Sequence, residues 1–139
     1  YAFGQHSGVA DETKDFFELP RFPINEKYGE QKRFSTLLNT LPLKFKKITP
    51  KEKYISDLNN PPKINIEFFE NLKNLKLINC YSNEQNKWRK SKITFASEFT
   101  IKINLAGKFT TERGRVNCSI RESANSYRWL GLQYVIAEK

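Results

Sequence analysis

His6 is the only histidine of the chain, and it stands in the run Gln5-His6-Ser7-Gly8. A serine beside an imidazole invites a nucleophile–base reading, in which the ring takes the hydroxyl proton. Two observations weigh against it. Adjacent side chains on an extended chain point to opposite faces, and the run lacks the Gly-x-Ser-x-Gly pattern of a nucleophile elbow. An exposed imidazole in a turn is the other reading. Arg21, in Pro20-Arg21-Phe22-Pro23, sits in an otherwise apolar stretch, where a guanidinium needs a carboxylate or carbonyl partner. It could brace a catalytic Asp or stitch one strand to its neighbour. Trp88, flanked by Lys87, Arg89 and Lys90, reads as an exposed loop residue available for ligand contact. Tyr127, Trp129 and Tyr134 could form a sugar-stacking face, but Trp129 reads better as sandwich core opposite a disulfide.

Cys80 and Cys118 are the two cysteines, each in a strand-like stretch. Structural zinc needs four ligands, so two Cys and a distant His6 do not make a zinc site. A disulfide between two strands is the better fit and implies an oxidising compartment; buried free thiols in a cytosolic protein are the alternative. Asn117-Cys118-Ser119 matches the N-glycosylation sequon, although a bonded cysteine at its middle would hinder access.

The chain carries a net charge of +9, distributed unevenly. Residues 1–60 have 10 Lys/Arg against 8 Asp/Glu, whereas residues 61–139 have 14 against 7. A basic second half suits an acidic partner such as an anionic glycan, a phosphate-rich membrane surface or nucleic acid; equally, the charge could only keep the domain soluble. No nucleic-acid-binding signature accompanies it, so nucleic acid is not the expected partner. No phosphate loop, EF-hand or heptad is present, and no apolar run approaches the 18 residues of a membrane-spanning helix.

The elements follow from periodicity. Pro20 and Pro23 exclude a helix interior and a central strand from residues 16–24. Phe34, Leu37, Leu38 and Leu41 fall at i, i+3, i+4 and i+7, which predicts a helix over residues 26–41, ended by Pro42. Residues 44–62, rich in Lys and Pro, read as a linker holding a short helical or extended stretch. Beyond it, alternation takes over at Ile64, Ile66 and Phe68, at Ile93 and Phe95, at Phe99, Ile101, Ile103 and Leu105, and at Val116, Cys118 and Ile120. Leu75 and Leu77 lead into Cys80, residues 82–86 read as a turn, and a last run spans Trp129 to Val135. Short strands without intervening helices predict a small antiparallel β-sandwich over residues 63–139.

The chain opens at Tyr1-Ala2-Phe3-Gly4, which reads as the end of a strand and its loop, so it is expected to be the C-terminal piece of a longer protein. Phe3-Gly4-Gln5-His6-Ser7-Gly8, then Asp15-Phe16-Phe17-Glu18-Leu19-Pro20-Arg21-Phe22-Pro23 and Leu38-Asn39-Thr40-Leu41-Pro42-Leu43, resembles the closing part of the catalytic domain of NodB-like polysaccharide deacetylases. The β-domain, with Asn79-Cys80-Tyr81 and Arg115-Val116-Asn117-Cys118, resembles a C-terminal domain found in a bacterial branch of that family. The resemblance implies an α+β fragment: the last strand and helix of a distorted (β/α) barrel over residues 1–43, a linker and an accessory sandwich. It implies a metal-dependent N-deacetylase acting on an N-acetylated polysaccharide or another acidic envelope glycan, in the periplasm or outside the cell. A divalent metal, usually zinc, would activate water. The Asp-Asp and His-x-x-x-His motifs that hold and use the metal are absent here and would lie upstream of Tyr1, so this chain alone would be inactive. His6, Ser7 and Arg21 would then be catalytic-site residues, on the barrel-mouth loop and last strand, with Gln5 and Trp88 touching substrate. The alternative is a non-enzymatic glycan- or envelope-binding β-sandwich module.

Overall fold

Two β-sheets face each other in the computed structural model, which describes residues 1–136. Residues 137–139, the tail of the segment assigned to the β-domain, lie outside the described residues. The elements run α1 (Gln31–Leu38), β1 (Leu41–Pro42), β2 (Lys47–Thr49), β3 (Tyr54–Ile55), β4 (Ile64–Glu67), β5 (Asn79–Glu84), β6 (Lys87–Lys90), β7 (Lys92–Ser97), β8 (Thr100–Asn104), β9 (Arg113–Ser123) and β10 (Ser126–Ile136). A six-stranded sheet has the order β1-β10-β9-β5-β6, with β3 also on β10; a four-stranded sheet has the order β2-β4-β8-β7.

Alternation decides which side chains enter the core. On β4 and β8, Ile64, Ile66, Ile101 and Ile103 are buried while Asn65 and Lys102 face outward. On β9, Val116, Cys118 and Ile120 are fully buried, with Arg115, Asn117 and Ser119 on the opposite side. Leu130 and Tyr134 of β10, Phe68 and Leu43 complete one cluster. Each such side chain contributes about 1.5–3 kcal/mol by leaving water. Phe109 lies flat over Gly114, where a Cβ would come within 2.1 Å of its ring, and stacks on Tyr134 at 6.3 Å.

Cys80 and Cys118 are directly opposed on β5 and β9 and joined in a disulfide, with no free cysteine among the described residues. Nearby, Glu84 is a fully buried carboxylate. It accepts hydrogen bonds from the Ser82 hydroxyl at 2.5 Å and from the backbone N–H groups of Ala106 and Gly107 at 3.3 and 2.6 Å. These donors replace the water that a buried carboxylate loses.

The barrel remnant expected over residues 1–43 is corrected by this architecture. Its strand is a single bridge between Phe3 and Leu19, extended by the Arg21 N–H donating to the His6 carbonyl. Residues 1–22 form a strap across the six-stranded sheet. The Ser7 carbonyl lies on Gly131 so closely that a Cβ there would stand 1.7 Å from it. The helix is shorter than the predicted 26–41, because an Asn25–Tyr28 turn takes up its start. None of its residues is buried, so its apolar stripe marks the helix but meets no core. Residues 44–62 hold β2, β3 and a 3-10 turn. Leu75–Leu77 is also a 3-10 turn rather than a strand lead-in; its three-residue repeat buries Leu75 and Ile78 together and leaves Leu77 outside. The sandwich is not purely antiparallel, since β1 and β3 both pair in parallel with β10.

The Cys80–Cys118 bridge spans 38 residues, a loop whose closure is worth about 3–4 kcal/mol by chain entropy. The double substitution Cys80→Ala/Cys118→Ala is therefore expected to lower unfolding free energy by about that amount in urea titrations. A loss below about 1 kcal/mol would show that the bridge adds little to the packed strands. A second expectation concerns the strap. Gly131→Ala should lift Ser7 from β10 and speed proteolytic cleavage within residues 1–22, with the sandwich intact by far-UV circular dichroism; unchanged cleavage would refute the close contact.

Candidate functional site

The outer face of the six-stranded sheet is built by the positions that alternate with its core. Since Cys80 and Ser82 point inward, Tyr81 and Asn83 point outward. A two-residue turn, Gln85-Asn86, joins β5 to β6 with φ values of 51° and 61°. Such left-handed pairs match the natural strand twist of a tight hairpin. The turn sets Tyr81 opposite Lys90 and Asn83 opposite Trp88, so these four side chains share one face. Asn117 adjoins Tyr81 from β9. Trp88 and Tyr81 are diagonal neighbours, 48% and 44% exposed.

This places Trp88 on an edge strand, not in the loop expected from its polar surroundings. The segment 82–86 is likewise strand up to Glu84, with the turn confined to two residues. Next to this platform, Arg115 donates through Nη2 to Gln5 Oε1 at 3.4 Å. Arg115 Nε and Asn83 Oδ1 are buried without a hydrogen-bond partner. Other parts of Arg115 and Asn83 line a shallow depression of about 750 Å³ together with Gln5. Gln5 lines this depression and Trp88 does not. Asn83, Tyr81, Lys90 and Arg115 were not singled out from sequence, although alternation from Cys80 puts the first two on this face.

His6, Ser7 and Arg21 lie elsewhere, on the strap. His6 is 9% exposed, its ring against Gly4, where a Cβ would stand 2.8 Å from Nδ1. Nδ1 is 3.9 Å from Glu18 Oε1, and Glu18 is ion-paired with Lys53. Burial depresses the His6 pKa below its ordinary value; Glu18 opposes the shift and Lys53 reinforces it. No hydrogen bond joins the Ser7 hydroxyl to this ring. Arg21 holds the strap by its backbone while its side chain is exposed to water, which removes the need for a buried partner. Trp129 pairs with Ser119 on the outer face and is covered by Phe22, edge-on at 5.5 Å. Leu130 is the residue that meets Cys118, so the tryptophan belongs under the strap and not in the inter-sheet core. Among the described residues no three His, Cys, Asp or Glu side chains converge to hold a metal ion, and no helix is long and apolar enough to cross a membrane.

No protein-family model matches the chain, and no curated protein matches it. Among solved structures, it is similar to PcoC, a copper resistance protein from Escherichia coli, at 14% identity and a TM-score of 0.46, over 68% of this chain and 99% of that one. The deacetylase resemblance is corrected by the fold of residues 1–43 and by the lack of a matching family model. The segment that carried it folds as a strap and one short helix on a sandwich.

The His6 environment has a measurable consequence. A histidine whose folded pKa lies below its unfolded value of about 6.5 disfavours the native state once pH falls through that value. Thermal stability should therefore drop from pH 7.5 to 5.5, and His6→Gln should flatten that drop. Parallel curves for both proteins would mean that His6 is not the titrating group.

Proposed function

We propose that this chain is a non-enzymatic glycan-binding β-sandwich module of an envelope or extracellular protein. The observation that carries the reading is the exposed Trp88–Tyr81 pair, set among Lys90, Asn83 and Asn117 on one sheet face. A pyranose ring has one face of C–H groups, and an aromatic face, negative at its centre, attracts them. The neighbouring amides can bond the ring hydroxyls, and Lys90 with Arg115 suits acidic substituents.

Two further features support it. The disulfide fits an oxidising compartment, where such polymers are exposed. The positive charge is concentrated in the segment that builds this face. An acidic polysaccharide would be drawn by that charge and released by salt, because exposed charges are screened within about 10 Å at 0.1 M ionic strength.

Affinity electrophoresis through gels containing alginate or hyaluronate tests the proposal. The protein should be retarded, and Trp88→Ala should weaken retention about tenfold or more, equivalent to roughly 1.4 kcal/mol, with unchanged circular dichroism. Retention unaffected by Trp88→Ala would remove the platform from the function. Equal retardation by single-stranded DNA would favour a general polyanion surface instead.

A further inference from the structure

The outward side chains of β9 form a charged row that packing of the sandwich does not use. Gly114, Val116, Cys118 and Ile120 point inward, so Arg113, Arg115, Asn117, Ser119 and Arg121 point outward by strand alternation. Lys90 stands two strands away at the level of Asn117, because it pairs with Tyr81 and Tyr81 pairs with Asn117. No outward position of β5, β6, β9 or β10 is Asp or Glu. The strap's Asp11, Glu12 and Glu18 are ion-paired with Lys14, Lys44 and Lys53. Arg113, Arg115, Arg121 and Lys90 have no ion pair among the described residues. Glu112, just before β9, is the one carboxylate lining the depression with Arg113 and Arg115. Arg121 is oriented by its own turn, donating through Nε and Nη2 to the carbonyls of Ser123 and Ala124, each at 3.2 Å.

The row has a wall on each side. On β10, Gly131 and Trp129 pair with Asn117 and Ser119. The strap stands along that side: Gln5 accepts from Arg115, the Ser7 carbonyl lies on Gly131 and Phe22 covers Trp129. On the other side are the rings of Tyr81 and Trp88. Between the walls, Asn117 and Ser119 form a floor of short side chains that both donate and accept hydrogen bonds.

We propose that an internal segment of a linear uronate polysaccharide lies lengthwise along β9, between the strap and the two rings. Its carboxylates meet Arg113 and Arg115 at one end, Lys90 midway and Arg121 at the other. The proposal rests on the glycan reading of the Trp88 platform and adds the direction of the polymer, its charge type and the ends of its footprint. A path across the strands would stop at the strap, whereas a path along β9 leaves both ends of the polymer free. From Arg113 to Arg121 the strand covers roughly 27 Å at about 3.4 Å per residue, the length of about six sugar rings. The three charge positions are roughly 10–14 Å apart along it. That is too sparse for a nucleic-acid strand, which carries a charge about every 3.4 Å, and it matches a carboxylate on every second ring. The guanidinium groups suit carboxylates, which they can engage through two parallel hydrogen bonds.

Hyaluronate oligosaccharides of increasing length, end-labelled and titrated with the whole chain at low salt, test this by fluorescence anisotropy. Affinity should rise with length and level off near about six to eight rings, the span of the row. Arg113→Gln and Arg121→Gln, at opposite ends, should each weaken the octasaccharide about threefold, as expected for loss of an exposed ion pair, with a smaller effect on the tetrasaccharide. Glu112→Gln should strengthen octasaccharide binding about twofold by removing the carboxylate beside Arg113 and Arg115. Affinity that stops rising at the tetrasaccharide, or a rise untouched by Arg121→Gln, would overturn the lengthwise path. An equal rise with oligothymidylate of matching length would overturn the uronate assignment and leave a general polyanion row. Trp88→Ala separates this inference from the platform reading. Loss at every length tests the rings, whereas loss that grows with length in the arginine variants tests the row.

Discussion

A covalent bond between directly opposed residues of β5 and β9 locks the register of the six-stranded sheet, and its outer surface follows from that lock. A side chain's face has a period of two, so a slip by one residue would exchange every inward and outward position. With Cys80 on Cys118, Val116, Ile120 and Ser82 enter the core, and Tyr81, Asn83, Arg115 and Asn117 are set outside. The tight Gln85-Asn86 turn carries the same parity onto β6 and brings Trp88 and Lys90 to that face. The platform is therefore a consequence of core packing, read from its other side.

The strap then divides this face. Residues 1–22 cross β10 where Gly131 lets the Ser7 carbonyl touch the sheet, and Phe22 closes over Trp129. The two tryptophans lie on the same side of one sheet yet acquire different environments. Trp129 becomes half-buried beside His6 and Gln133, whereas Trp88, three strands away at the edge, keeps its ring exposed. The absence of a single side chain at Gly131 is what permits this partition.

Much of the sandwich was legible in the sequence. The alternation at Ile64–Phe68, Phe99–Leu105 and Val116–Ile120 marks strands whose buried faces match the structure, and the two cysteines pair as their strand settings suggested. What was not legible depends on contacts distant in sequence. The motifs of residues 3–43 suggested a barrel because local runs of Gly, Pro and aromatic residues specify turns and extended segments, not the sheet that receives them. The Phe34–Leu38 stripe gave the helix but not its neighbour. Trp88 read as a loop residue because a charged edge strand exposed on both faces shows no alternation, and edge strands commonly carry such charges.

The buried carboxylate of Glu84 gives the exposed platform its stiffness. It sits beside the turn of the β5–β6 hairpin and accepts hydrogen bonds from the amides of Ala106 and Gly107 on the connection between β8 and β9. The edge strand bearing Trp88 is thus anchored to the body of the sandwich at both its turn and its disulfide-bonded neighbour. A surface held in this way loses little conformational entropy when a partner settles on it. Whatever rests on those rings meets a plank already set in shape, with the ordering completed when the domain folded.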